Sequence, residues 1–401
     1  MSGTLTIAAL TQTGLGRADD GSLHPRVLPG EEIELKDDGS VRIVTPGTDR
    51  VAPPCRHFKS CGGCAMQHAS DAFVAGWKAG ILSSALAAQG LDPAIARNET
   101  SPPESRRRAK LTGRRTKKGA FVGFHAARSD EVVAIPDCRI LTPGLRAAFP
   151  GFEVLARLAA TRSTDAELHV TETETGADVL ITSPRDLDRN LRETLPAIAR
   201  DHGIARITWN GEPVATLSPP VIRLSGIEVA PPPGAFLQAT AHGEAVLAAE
   251  VCRIVSGAAR VADLFSGCGT FGLPLARKAV VHAVEGDERL LTALDRAWRG
   301  ATGLKTISVE ARDLFRRPLL PDELHGFDAV VIDPPRAGAE AQIAELARGG
   351  PDVIAMVSCN PVTFARDARA LVTAGYRMEQ PVLVDQFRWS AHLEISCGFF
   401  R

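Results

Sequence analysis

Short apolar runs open at Val261, Val280, Ala329 and Val353, and stretches of helical periodicity separate them. Strand and helix patterns alternate in this way from residue 235 to the C-terminus. That alternation predicts a parallel sheet covered by helices. Each run ends in a residue able to do chemistry. The first enters a glycine turn at 267–272, and the second ends in Glu285. The run through 310–313 ends in Asp313, and the one after Ala329 ends in Asp333 followed by two prolines and Arg336. The run at 353–357 ends in Ser358, Cys359, Asn360 and Pro361, where the proline stops the ladder from continuing. Open α/β sheets bind their ligands just beyond such strand ends.

The N-terminal part has a different rhythm. Residues 1–52 carry short alternating runs, such as 5–10 and 31–35, between turn signals at 28–31 and 37–40. This pattern predicts a small β-barrel. Residues 53–230 read as a mixed central region, with helices expected over 72–89 and 185–201. Strands are expected there over 167–172, 178–182 and Ile204–Trp209. The stiff segment Pro231-Pro-Pro-Gly234 marks the boundary with a third region, 231–401.

Composition narrows the class. Apolar residues make up 44% of the 401 and charged residues 23%, ordinary values for a soluble globular chain. No stretch is long and apolar enough for a membrane span, and no secretory leader is visible. Eight cysteines are too sparse for a disulfide scaffold, so a cytoplasmic protein using thiols for metal or catalysis is expected. The net charge of −1 conceals a basic segment: residues 101–128 hold nine Lys/Arg against the single acid Glu104. Arg106, Arg107, Arg108 and Lys110 form its centre, and Phe121 and Phe124 lie among the later charges. Charge for phosphates beside rings for bases points to RNA contact.

Two constellations carry the chemistry. Gly267, Gly269 and Gly272 follow a strand that contains Asp263, and Glu285 closes the next strand. Glycines there let a ligand approach the backbone, and a carboxylate can accept both ribose hydroxyls. A nicotinamide site would show the same glycines. Asp263, Asp313 and the Asp333-Pro-Pro-Arg336 run favour S-adenosylmethionine instead. The second constellation is Cys55, Cys61 and Cys64, with Gly62 and Gly63 between the last two, and a distant Cys138. Four thiolates can bind zinc or a [4Fe–4S] cluster. One three-cysteine knot beside glycines fits the bulkier cluster better than the paired knuckles of zinc sites. Cys252, Cys268 and Cys397 lack ligand spacing and read as packing residues.

Taken together, Cys55-x5-Cys-Gly-Gly-Cys-x2-Gln-His68, Phe236-Leu-Gln238, Asp263-Leu-Phe-x-Gly-x-Gly-Thr270, Asp333-Pro-Pro-Arg336, Ser358-Cys-Asn-Pro361 and His392-Leu-Glu394 resemble the RNA 5-methyluridine methyltransferases. The iron–sulfur branch is similar to the bacterial 23S ribosomal RNA enzymes. Gly14-Leu-Gly-Arg-Ala18 and Leu28-Pro-Gly-Glu-Glu-Ile33 resemble a TRAM domain, an RNA-binding barrel. The resemblance implies an α/β chain with a class I, Rossmann-like methyltransferase domain, a central domain bearing the cluster and a TRAM-like barrel.

The resemblance also implies roles. Cys359 would add to carbon 6 of uracil, and Glu394 would remove the proton from carbon 5. Gln238, Phe265, Gly267, Glu285, Asp313 and Asp333 would hold S-adenosyl-L-methionine, with Gln238 on either the cofactor or the uracil edge. Arg336, Arg106, Arg107, Arg108 and Lys110 would meet RNA. Cys55, Cys61, Cys64 and Cys138 would hold the cluster in a monomeric enzyme. Alternatives are transfer RNA as the target, a cytosine-5 methyltransferase, or a noncatalytic RNA-binding iron–sulfur protein. Departures from the family pattern lie after Glu285, at Ala239-Thr240 and at 388–392.

Overall fold

The computed structural model describes residues 4–401. Apolar runs that need cover on both faces assemble into a nine-stranded sheet. Its order is Ile307–Ala311, Val280–Glu285, Arg260–Leu264, Ala329–Ile332, Val353–Ser358, Glu394–Phe400, Val382–Asp385 and Arg97–Thr100, with Arg377–Met378 beside Glu394–Phe400. The first five are parallel. Glu394–Phe400 runs antiparallel between Val353–Ser358 and Val382–Asp385. Successive side chains serve opposite helical layers: Val261, Val281 and Val331 join one core, and Ala262, Val330 and Ile354 the other. Double burial is why these runs are apolar without alternation. Strand order reverses between Arg260–Leu264 and Ala329–Ile332, and a crevice opens beyond their carboxyl ends.

The central region 53–230 does not pack as one unit. Helix Asp71–Ala88, capped by the Ser70 side chain, buries Ile81, Leu82 and Leu86 in the same core as Ile354 and Phe364. Strand Arg97–Thr100 pairs in parallel with Val382–Asp385 and forms the edge of the C-terminal sheet. Residues 71–100 therefore belong physically with the sheet that follows residue 231. The apolar face of that helix requires a partner, and the sheet supplies one.

Seven of the remaining central strands form one sheet, in the order Glu212–Thr216, Ile204–Trp209, Gly176–Thr182, Ala166–Thr173, Arg108–Arg115, Ala120–His125 and Val132–Ala134, while Ile222–Leu224 and Ile227–Val229 pair as a separate hairpin that packs on the C-terminal core. Helices Phe149–Ala159 and Arg189–Asp201 share its core. The second begins later than the expected residue 185, because the Asp188 side chain accepts from the Leu191 amide and starts the helix there. Five antiparallel strands between Leu5 and Thr45 curl around a small core of Ile7, Ala18, Val27 and Ile33, as expected of the barrel. Among the described residues no helix is long and apolar enough to cross a membrane.

Candidate active site

A cavity of about 770 Å³ opens at the reversal point of the large sheet. Gln238, Phe265, Gly267, Glu285, Asp313, Asp333, Arg336, Cys359 and Glu394 all line it, as do Arg106 and Arg108. Its floor is the turn after Leu264. There Phe265 sits at φ +60° and Gly267 at +56°, so the chain turns left-handed immediately at the strand end. A non-glycine residue held in that region carries strain of about 1 kcal/mol or more. The turn projects the Phe265 ring into the cavity, where it meets Phe315 at a centroid distance of 5.4 Å. Glu285 accepts from the amides of Gly267 (3.0 Å), Gly286 (2.6 Å) and Asp287 (3.1 Å), which fix its carboxylate at the rim. Asp313 lies just past the strand Ile307–Ala311 and accepts from the Phe315 amide at 3.0 Å.

Beneath the turn lies Asp263, fully buried with no hydrogen-bond partner on either carboxyl oxygen. Burial first, and then the Asp333 carboxylate, push its pKa up to about 8. Gly272 packs against it so closely that a Cβ there would lie 2.9 Å from Asp263 Oδ2. Burial thus favours the neutral form of this carboxyl under the glycine turn.

The opposite end of the cavity gathers the reactive groups. Asp333 faces the cavity from a deep position, and burial raises its pKa to about 7. Cys359 stands one residue past the strand Val353–Ser358, half-buried. Burial, then the charges of Glu394 and Asp333, push its thiol up to about 11 against the opposing pull of Arg336. Arg336 is tied in place by its carbonyl, which accepts from Asn360 Nδ2 at 3.0 Å, and its guanidinium touches His392. Glu394 is 3% exposed and sits on a strand paired on both sides, so it is not an edge-strand carboxylate. Burial and Asp333 raise its pKa to about 8, and Gln386, Arg108 and Arg336 oppose the shift. The set can act as a thiol nucleophile with a nearby base near the working pH.

Not every predicted residue reaches this cavity. Arg107 is 8% exposed, and its guanidinium donates to Glu244 and to the Gln238 carbonyl. It braces the chain rather than presenting charge, because a buried guanidinium must spend its donors on fixed acceptors. Lys110 lies on the outer face of its strand, 2.8 Å from Glu167. The partly buried Phe124 ring packs against the cysteine site. Arg106 and Arg108 do reach the cavity, and Arg108 stacks 4.2 Å from the Phe236 ring centroid. Burial lowers the Arg108 pKa to about 10, still charged at neutral pH.

Cys55, Cys61, Cys64 and Cys138 line one small second cavity with Phe58 and Ile135. Burial pushes Cys64 up to about 12, and the other three thiols each add to that shift, as close neighbours do. Among the described residues no three His, Cys, Asp or Glu side chains are placed to hold a metal ion.

Three cavity neighbours escaped the sequence reading. Phe387 and Phe315 line the cavity from loops, which carry no periodicity to mark them. Lys78 left a signal that went unread. It lies between Val74 and Ile81 on the apolar face of its helix, fully buried, a position a lysine holds only with partners. Its ammonium meets Asp385 at 2.6 Å and the carbonyls of Phe387 and His392.

A parallel sheet with a glycine turn, a carboxylate at the second strand end and acids at the third and fourth defines a class I methyltransferase domain. The comparisons with known proteins narrow this further. The family profile described as tRNA (Uracil-5-)-methyltransferase matches residues 303–400. An uncharacterized RNA methyltransferase of Rhizobium meliloti (strain 1021) is 44% identical over 98% of both chains. The 23S rRNA (uracil(1939)-C(5))-methyltransferase RlmD of Aeromonas salmonicida (strain A449) is 31% identical over 95% of this chain and 92% of its own. The Pyrococcus abyssi tRNA (uracil-54, C5)-methyltransferase, solved with S-adenosyl-L-homocysteine, shares the fold with a TM-score of 0.77 at 23% identity over the full length of both. The chain belongs to the RNA uracil-C5 methyltransferase family.

Proposed function

We propose that this chain methylates carbon 5 of a uridine in 23S ribosomal RNA, with Cys359 as nucleophile and Glu394 as base. The observation that carries this reading is one cavity walled by both residues and by Phe265, Glu285 and Asp313. S-adenosyl-L-methionine supplies an electrophilic methyl group on a sulfonium sulfur. The residues fit that cofactor: Glu285 for ribose hydroxyls, Phe265 and Phe315 for the adenine faces, Asp313 for its edge, and Gly267, Gln238 and Asp333 along the remainder.

The target base leaves its stack to enter the cavity. The partly exposed Cys359 thiol gives up its proton to solvent water, with Arg336 favouring the thiolate. The sulfur bonds to carbon 6 as the C5=C6 π bond opens, and carbon 5 takes the methyl group. Glu394 then removes the remaining proton from carbon 5. The C5=C6 double bond re-forms, the C6–S bond breaks and the thiolate is released. Glu394 suits this step because its raised pKa lies near neutrality.

Cys55, Cys61, Cys64 and Cys138 hold a [4Fe–4S] cluster in this reading, supported by four thiols bordering one cavity closed by Phe58 and Phe124. The curled N-terminal sheet, as a TRAM-like unit over 1–52, and the exposed Arg115, Lys117 and Lys118 bind RNA in the cytoplasm. The 31% identical RlmD favours ribosomal RNA as the target. Mapping 5-methyluridine in total RNA from a deletion strain tests the reading. Loss at one 23S position is expected. Loss only in transfer RNA would replace the target, and no loss of 5-methyluridine anywhere would overturn the activity.

A further inference from the structure

We propose that Gln386 sets the amide orientation of Gln238, so that the site presents an N–H donor to a ring carbonyl and selects uracil over cytosine. The inference rests on the uridine reading above, because it concerns how that same cavity reads the base.

Both glutamines are buried, Gln386 at 2% exposure and Gln238 at 3%. The backbone amide of Thr240 donates to Gln386 Oε1 at 3.4 Å. A backbone N–H can only donate, so the oxygen of Gln386 must face it. The NH₂ group of Gln386 then points the other way and donates to Gln238 Oε1 at 2.5 Å. With its oxygen turned toward Gln386, Gln238 presents its NH₂ group to the cavity it lines. Gln386 also faces Glu394 and favours its ionised form, which agrees with an NH₂ group on that side.

The frame around the pair is stiff. The Arg107 amide donates to the Ala239 carbonyl at 2.9 Å, and the Arg107 guanidinium to the Gln238 carbonyl at 3.2 Å. Thr240 caps the following helix by accepting from the Gly243 amide. Gly243 is required for the approach of Gln386: a Cβ there would lie 2.8 Å from Gln386 Cβ and 3.1 Å from Oε1. The Thr240 amide therefore sets which way the Gln386 amide faces, and Gln386 in turn sets Gln238.

Because Gln386 contacts both Gln238 and Glu394, the free donor lies at the reactive end of the cavity, away from Glu285 and Asp313. The 4-position of a pyrimidine separates the two bases there: uracil offers a carbonyl acceptor and cytosine an amino donor. An N–H donor facing an amino group leaves two buried donors unsatisfied. The cofactor carboxylate is also an acceptor, and the experiment separates the two.

The probe is a transcript of the RNA segment into which the wild-type enzyme incorporates labelled methyl, and the same transcript with cytidine at that position. Gln386→Met removes the amide. It should lower affinity for the uridine transcript at least tenfold relative to the cytidine one, with S-adenosylhomocysteine binding unchanged. Gln386→Glu keeps an acceptor toward Thr240 but forces Gln238 to turn its NH₂ group inward. It should invert the preference, so that the cytidine transcript binds more tightly. If both variants retain wild-type discrimination, or if only S-adenosylhomocysteine binding weakens, the proposal is overturned. If Gln386→Glu does not fold, Gln386→Met alone decides. A wild-type enzyme that labels no uridine transcript would instead refute the uridine reading itself.

Discussion

At the scale of single residues, the site works against its own charges. Cys359, Asp333 and Glu394 share a buried space, and each charge raises the cost of the next. The resting thiol is therefore protonated, and Glu394 is poised between acid and base. Cys359→Ala should abolish methyl transfer and leave S-adenosylhomocysteine binding intact by calorimetry, because the thiol lies apart from the Glu285 end. Glu394→Gln removes the first charge that raises the thiol. Its alkylation by iodoacetamide should then reach half-maximal rate at a lower pH than in wild type. The same variant should accumulate a denaturation-resistant RNA adduct, since bond formation to carbon 6 precedes the base step. An unmoved alkylation profile would remove the coupling between the two residues. The pH dependence has a definite sign. The unfolded chain releases the Glu394 proton near its ordinary value of 4.5, whereas the folded chain keeps it up to about 8. Across that window the folded state binds more protons, so this residue's contribution to stability falls as pH rises. Turnover moves the other way, rising through about pH 8 as the base ionises. Urea titrations and single-turnover rates at pH 6 and 9 check both directions, and Glu394→Gln should flatten the stability difference.

At the scale of elements, the decisive contacts join segments far apart in sequence. Lys78, from the helix Asp71–Ala88, pins the loop that leads into the Glu394 strand through Asp385 and two loop carbonyls. Replacing Lys78 by Met strands a buried carboxylate, which costs about 3–5 kcal/mol. Adding Asp385→Asn should recover part of that loss, because the uncompensated charge goes with it. Equal stability of the single and double variants by urea denaturation would show that the pair is not coupled. This contact also marks where sequence reading stopped. Strand ends were legible, since double burial writes a continuous apolar run and the chemistry follows at its end. Cys359, Glu285 and Asp333 were found in that way. The parallel pairing of Arg97–Thr100 with Val382–Asp385 was not legible, because that register joins residues nearly three hundred apart with no local signature. Arg107 was misread for a related reason. Three arginines in a row look alike in composition, and only the Glu244 and Gln238 acceptors make the middle one a brace. Gln386 carries no motif, and its role depends entirely on the Thr240 amide opposite it.

At the scale of the whole molecule, the cysteine site and the reactive end of the cavity are neighbours through one loop. The carbonyl of Trp389 accepts from the amides of Ala65 at 2.7 Å and Met66 at 3.0 Å, the two residues after Cys64. Arg388, beside it, reaches Asp71 and the Ser101 carbonyl. Trp389 itself adopts φ +61°, a conformation that persists only while its surroundings enforce it. The segment that a cluster on Cys64 would anchor is thus the one that holds the approach to His392 and Glu394. Stripping the proposed cluster with ferricyanide and a chelator should free Cys64. The Ala65 and Met66 amides should then lose hydrogen-exchange protection, read by mass spectrometry on the peptides that contain them. Amides of the strand Arg260–Leu264, which lies in the centre of the large sheet, should keep theirs and serve as the internal control. Cys64→Ser should reproduce the pattern without chemical treatment. If protection at Ala65 and Met66 is the same with and without iron, the loop is held by Lys78 and Arg388 alone. The cysteine site would then be mechanically separate from the chemistry at Cys359.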